Sequence, residues 1–167
     1  MSAVADFANL RAGGTALTDA IADLGSDVQL LPIMPNGVPV AIPIAETLGL
    51  TITPLDVERS DQGVRIVSVP DIQKSVVVVI DDGVETGTAA LAAGQAIRSV
   101  APARLVLAVP VCPKEASAQL ALVYDEVIAA RQPLVRRSLH WHYEEFDTVD
   151  EDQARAMLTE HEEYGSE

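Results

Sequence analysis

The chain has 167 residues, about half of them apolar and only 4% aromatic, with 25 acidic against 11 basic side chains and a formal net charge of −14. This length suits one domain that buries roughly 70% of its unfolded surface. The apolar content excludes a disordered tail, and the acidic balance excludes a nucleic-acid backbone as the main partner, because such binding needs cations to displace counterions. No apolar run reaches the roughly 20 residues of a membrane span, and the start "MSAVADFANLRAGG" lacks the basic flank and apolar stretch of a signal peptide. A cytoplasmic protein is expected.

In chain order, residues 15–24 space their apolar side chains as a helix that stops at Gly25. "VQLLPI" (28–33) reads as a strand. Residues 36–49 read as a turn and a helix ending at Gly49, which Pro43 should kink or shorten. "TITPLDVE" (51–58) and "GVRIVSV" (63–69) read as strands joined by a polar turn. "SVVVVI" (75–80) is apolar without alternation, as expected of a strand covered on both faces. Residues 85–100 are rich in small residues and helical. "RLVLAVPV" (104–111) is a second continuous strand, residues 114–123 a helix, and 125–131 a last core strand. From about residue 144 the chain turns strongly acidic, and Asp150 or Asp152 can start a short final helix. Alternating strands and helices with no dividing linker predict a single α/β domain (1–167) around a parallel sheet with right-handed crossovers.

In such sheets ligands sit beyond the carboxyl ends of the strands. "VVVVIDDGVETGTAA" (76–90) places Asp81 and Asp82 at that end of the likeliest central strand. Thr86, Gly87 and Thr88 lead into the next helix, whose unpaired N–H groups and partial positive charge favour a phosphate. The two acids would repel that phosphate but suit neighbouring hydroxyls. Phosphate at the loop and a diol at the acids together describe ribose 5-phosphate. The competing reading is structural, with solvated acids at a strand end and glycines that only turn the chain. A receiver domain would put its acid pair after the first strand, a dinucleotide fold would need G-x-G-x-x-G, and a P-loop would need Gly-Lys-Ser/Thr. None of these fits.

The stretch resembles the phosphoribosyl-pyrophosphate signature of the type I phosphoribosyltransferases: an apolar strand, two acids, then Thr-Gly and a small hydroxyl residue. "MPNGVPVAIPIAETLGL" is similar to that family's pyrophosphate loop and following helix. "VLAVPVCPKEA" and "WHYEEFDTVDEDQARAML" are similar to later segments of bacterial members. The resemblance implies a three-layer fold with a central parallel sheet, ribose hydroxyls on Asp81 and Asp82, and the 5-phosphate on Glu85, Thr86, Gly87, Thr88 and Ala89. It implies a pyrophosphate loop at Pro35, Asn36 and Gly37, and Mg²⁺ held mainly by the substrate's own oxygens rather than by a protein metal site. The partner implied is phosphoribosyl pyrophosphate or a nucleotide, and a homodimer is the oligomer implied.

Two departures bear on activity. The pyrophosphate loop lacks its usual arginine, and no basic residue stands between Arg11 and Arg59. The segment 56–75 is short for the flexible loop that family enzymes close over the reacting centre. Arg59 or Arg65 is left to supply the missing charge. Glu85 matches the acidic residue that faces the base in six-oxopurine salvage enzymes, a candidate general base or acid that points to purine salvage. A solvent-facing acid in a helix's first turn is its plainer role. Two functions therefore stand open. One is transfer of ribose 5-phosphate to a nitrogenous base with release of pyrophosphate. The other is a non-catalytic nucleotide or ribose-phosphate binder that lost the leaving-group machinery.

The other reactive residues read as structural. Cys112 is alone and follows an apolar strand, as a buried inert thiol does. His140 and His142 could face one side of a strand but lack further ligands, so an exposed structural pair is expected. Trp141 and Tyr143 are expected to pack the C-terminal segment against the sheet.

Overall fold

The computed structural model describes residues 5–165, with side chains placed through residue 163. Five parallel strands form one sheet in the order β2-β1-β5-β6-β7: β1 Val28–Pro32, β2 Thr51–Ile52, β5 Val76–Ile80, β6 Arg104–Val111 and β7 Glu126–Arg131. Two further strands, β3 Val57–Ser60 and β4 Gly63–Ile66, pair antiparallel as a separate hairpin. The helices are α1 Leu10–Thr15, α2 Thr18–Ala22, α3 Gly37–Leu48, α4 Thr88–Arg98, α5 Lys114–Leu120 and α6 Glu151–Gly165, with a 3₁₀ turn at Leu139–His142.

The continuous apolar runs are explained by burial on both faces. In β5, Val78 and Ile80 join a cluster with Leu10, Leu17, Ile21, Val40 and Ile44, on the side of α1, α2 and α3. Val77 and Val79 join the opposite cluster with Ile97 of α4, Leu120 of α5 and Tyr124. The result is the expected three-layer α/β fold with a central parallel sheet.

Several boundaries differ from the sequence reading. The helix expected over 15–24 is two short helices that begin earlier, at Leu10, where the Asn9 side chain accepts from the Ala12 N–H at 2.8 Å. The cause is the Gly13-Gly14 pair. A Cβ on Gly14 would lie 2.0 Å from the Val40 carbonyl oxygen, so α1 and α3 cross with their backbones nearly touching. Helix α3 runs unbroken through Pro43 to its left-handed cap at Gly49, whose N–H bonds the Ala45 carbonyl at 2.8 Å.

The segment expected to be one strand over 51–58 is split at Pro54. Only Thr51–Ile52 joins the sheet, and Val57–Ser60 belongs to the hairpin. The second hairpin strand ends at Ile66 rather than 69. Helix α4 starts at Thr88, α5 stops at Leu120, and α6 is the longest helix rather than a short one. A reciprocal pair starts α6: Asp150 Oδ1 accepts from the Gln153 N–H at 2.8 Å, and Gln153 Oε1 accepts from the Asp150 N–H at 2.9 Å. No helix among the described residues is long and apolar enough to cross a membrane.

Candidate functional site

The site is positioned by sheet register. Strands β1 and β5 pair in parallel with Pro32 opposite Ile80, so the loops after them start side by side. The Ile33 N–H then bonds the Ile80 carbonyl at 2.8 Å. A Cβ on Gly37 would lie 2.5 Å from that carbonyl oxygen, so only glycine lets the start of α3 approach the end of β5 this closely. Pro35, Asn36 and residues 81–90 thus line one cleft of about 270 Å³, together with Arg59 and Leu139.

On the β5 side, Asp81 and Asp82 are both buried, at 8% and 9% exposure. The Asp82 N–H donates to Asp81 Oδ1 at 2.8 Å. Burial, reinforced by the neighbouring charge of Asp82, pushes the Asp81 carboxyl well above the usual carboxylate range. Burial also pushes Asp82 up to about 6, while the Arg59 guanidinium pulls both back toward ionisation. Two carboxylates with suppressed ionisation form a site that gains from hydroxyl donors or a cation.

Beyond them, Gly87 adopts φ +86° as the N-cap of α4, with no side-chain cap bond on that helix end. The Thr86 and Thr88 hydroxyls lie 3.1 Å apart beside it. Exposed hydroxyls, a left-handed glycine and uncapped helix N–H groups make an anion cradle beside the acid pair.

On the β1 side, Pro35 follows a cis Met34–Pro35 bond. The Asn36 side-chain oxygen accepts from the Val149 N–H at 2.9 Å, which ties this loop to the entry of α6. Arg59, on the hairpin, reaches over: its Nη2 donates to the Met34 carbonyl at 3.2 Å. Arg65 does not reach the cleft; it pairs with Glu58 on the exposed side of the hairpin.

Glu85 is exposed at the cleft wall and precedes α4 rather than standing in its first turn. Its Oε1 accepts from the Leu139 N–H at 2.7 Å. Leu139 is the lining residue that the sequence reading missed. It lies 54 positions from Glu85, and nothing local marks it. Tyr143 is buried as expected, and its hydroxyl donates to the Asp82 carbonyl at 2.7 Å, which places it directly behind the acid loop.

The neighbouring residues correct two expectations. His140 and His142 stand on a 3₁₀ turn rather than a strand, and only His140 is exposed. His142 is buried, with Nδ1 2.7 Å from Asp6 Oδ2, because the turn folds it under the N-terminal segment. Trp141 stays half exposed under the Arg137 guanidinium, 4.5 Å from the ring centroid, instead of packing on the sheet. Cys112 is buried, and burial pushes its thiol up to about 11. Among the described residues no three His, Cys, Asp or Glu side chains gather as metal ligands. Asp81 and Asp82 are hard oxygen donors that fit Mg²⁺ sharing its shell with ligand oxygens.

Known proteins share part of this sequence and the fold that carries the cleft. Over 83 residues, half of the chain, the sequence is 34% identical to "Putative phosphoribosyl transferase Rv0571c" of Mycobacterium tuberculosis. The chain spans only 19% of that relative's length. The fold is similar to that of TT1426 from Thermus thermophilus, with a TM-score of 0.78 at 24% identity over 92% of this chain and 98% of that one. It is also similar to a purine phosphoribosyltransferase from Pyrococcus horikoshii, with a TM-score of 0.59 at 17% identity over 87% and 99%. A Neisseria gonorrhoeae protein solved with bound ppGpp gives a TM-score of 0.55 at 12% identity over 95% and 99%. Residues 5–130, well over half of the sequence, match the family model of the phosphoribosyl transferase domain, and it is to this family that the chain belongs.

Proposed function

We propose that the protein binds phosphoribosyl pyrophosphate and transfers its ribose 5-phosphate to a nitrogenous base, a purine by preference, releasing pyrophosphate. The observation that carries this reading is the buried Asp81–Asp82 pair beside the uncapped start of α4, with a second loop one strand away. Asp81 and Asp82 accept from the ribose hydroxyls, and this contact offsets the cost of their burial. The Thr86 and Thr88 hydroxyls and the first N–H groups of α4 hold the 5-phosphate. Residues 35–37 face the pyrophosphate, and Arg59 supplies the charge that this loop lacks.

In the transfer, the bond from the ribose C1′ to the pyrophosphate oxygen breaks with its electron pair on pyrophosphate. The acceptor nitrogen forms the new bond to C1′ and loses its proton to solvent. Bound Mg²⁺, held by the substrate's phosphate oxygens and by Asp81 or Asp82, would neutralise charge on the departing group. A cytoplasmic location, where nucleotide pools are found, and a homodimer belong to the same proposal.

A second reading has its own support. The Asn36 side chain is engaged by Val149 and brings no charge to the loop, which suits a binder of nucleoside phosphates that performs no transfer. The ppGpp bound in the Neisseria protein gives a nucleotide of that kind.

Calorimetric titration with phosphoribosyl pyrophosphate and Mg²⁺, beside nucleoside monophosphates and ppGpp, tests binding. Pyrophosphate release with purine and pyrimidine bases tests transfer. Tight phosphoribosyl pyrophosphate binding with turnover supports the enzyme, and nucleotide binding without turnover supports the binder. Binding of none of these ligands overturns both.

A further inference from the structure

Glu85 stands where the sequence suggests a proton-transfer residue, yet its geometry serves another purpose. The turn Leu139–His142 begins with an N–H that needs an acceptor, and its N-cap residue Ser138 makes no side-chain cap bond. Glu85 Oε1 supplies that acceptor at 2.7 Å, across 54 positions of chain. We propose that Glu85 is a positioning residue that caps this turn and thereby couples the acid loop to the C-terminal segment.

Two further contacts make the coupling specific. The Leu139 side chain lies on Gly83 so closely that a Cβ there would meet Leu139 Cδ2 at 2.5 Å. Gly83 itself sits at φ +146°. At the other end of the turn, the Tyr143 hydroxyl donates to the Asp82 carbonyl at 2.7 Å. Residues 82–85 are therefore held at both ends by residues 139–143. Removing the Glu85 acceptor frees the turn's first N–H, lifts Leu139 from Gly83 and loosens the backbone that aims Asp81 and Asp82. In the other direction, a ligand that fixes the acid loop tightens the turn.

The inference rests on the ribose-phosphate reading only for its ligand arm. Its structural arm needs no ligand.

The experiment compares Glu85→Ala with Glu85→Gln, whose amide oxygen accepts the same N–H but cannot serve as a base. Amide hydrogen exchange across residues 138–143 is followed in the free proteins. Affinities for phosphoribosyl pyrophosphate with Mg²⁺ and for ribose 5-phosphate are then measured by titration. Glu85→Ala is expected to speed exchange at Leu139 and weaken both ligands by about tenfold, the scale of one charge-assisted hydrogen bond. Glu85→Gln is expected to recover most of both effects. Unchanged exchange at Leu139 in Glu85→Ala overturns the proposal. So does a Glu85→Gln protein that loses ligand as fully as Glu85→Ala does. If the unmodified protein binds neither ligand, the ribose-phosphate reading falls, and the exchange comparison still decides the role of Glu85.

Discussion

Arg59 donates to the carbonyl of Met34 at 3.2 Å, so a guanidinium from the hairpin stands at the loop that has no cation of its own. Its charge is also felt by Asp81 and Asp82 at the other side of the cleft. Arg59→Ala is expected to weaken phosphoribosyl pyrophosphate by about tenfold to a hundredfold, as the loss of a hydrogen bond to a charged group does. A nucleoside monophosphate, with no pyrophosphate to hold, should lose much less. Arg65→Ala, which removes only the exposed pair with Glu58, serves as the control. Equal losses for the two ligands in Arg59→Ala would remove Arg59 from the pyrophosphate side.

The acid pair predicts an unusual pH response. Both folded-state carboxyls titrate above their ordinary value of 3.8, Asp82 at about 6. The folded protein thus holds protons that the unfolded chain has already released. Its stability therefore falls as pH rises from about 4 through 6, and keeps falling until Asp81, the more strongly raised of the two, has also ionised. Asp27 and Asp125 are shifted the other way, and what they contribute is lost only as pH drops below the ordinary carboxylate range. Between pH 5 and 7 the acid pair sets the slope. Asp82→Asn is expected to flatten that slope and to raise stability at pH 7 by on the order of 2 kcal/mol. It should also abolish most of the thermal shift caused by ribose-phosphate ligands. Melting temperatures across this range decide, and a marked loss of stability at pH 7 in Asp82→Asn would give the acids a structural role.

Gly87 tests the phosphate cradle. Its φ of +86° strains any side chain, although the space around it is ordinary: a Cβ there would find its nearest neighbour, Leu120 Cδ1, at 3.7 Å. Gly87→Val should therefore cost about 1–2 kcal/mol of stability. Gly87→Asn, which tolerates the left-handed region, should cost less. Both should weaken ligands that carry a 5-phosphate more than a nucleoside that lacks it. Equal effects on the two ligand types would show that the phosphate does not approach this backbone.

The crossing of α1 over α3 gives a prediction about the fold. Gly14→Ala places a methyl 2.0 Å from the Val40 carbonyl oxygen, a main-chain atom that cannot swing away. A loss of about 3 kcal/mol or more is expected. Gly25→Ala meets nothing within 4 Å and carries only the strain of φ +101°, about 1–2 kcal/mol. Denaturant unfolding of the two variants measures the difference.

The Cys112 thiol is buried and held protonated. Native protein at pH 8 is expected to resist a thiol reagent for hours, and denatured protein to react at once with one equivalent. Rapid labelling of the native state would show that the end of β6 opens.

Much of this architecture is legible in local sequence. Strand β5 is an uninterrupted apolar run because both its faces are covered, and α3 ends at the glycine that caps it. Asp81, Asp82 and the Thr86–Thr88 turn are contiguous, so their chemistry can be read without a fold. What could not be read depends on contacts between distant residues. The Gly13-Gly14 pair looks like a loop until Val40 is seen against it. Pro54 divides a strand whose two halves then serve different sheets. Leu139 has no motif at all, and its place at the site comes from contacts with Glu85 and Gly83, both more than fifty positions away. Arg59 was one of two candidates by position alone, and hairpin pairing separates it from Arg65.

The contacts of residues 139–143 also order the protein's birth. The acid loop leaves the ribosome more than fifty residues before Leu139 and Tyr143, which brace it. The N-terminal segment waits longer still, since the Phe7 N–H finds its acceptor on His142. A nascent chain paused after β7 therefore carries all five described strands of the sheet, while its acid loop stays unbraced until residues 139–143 have emerged.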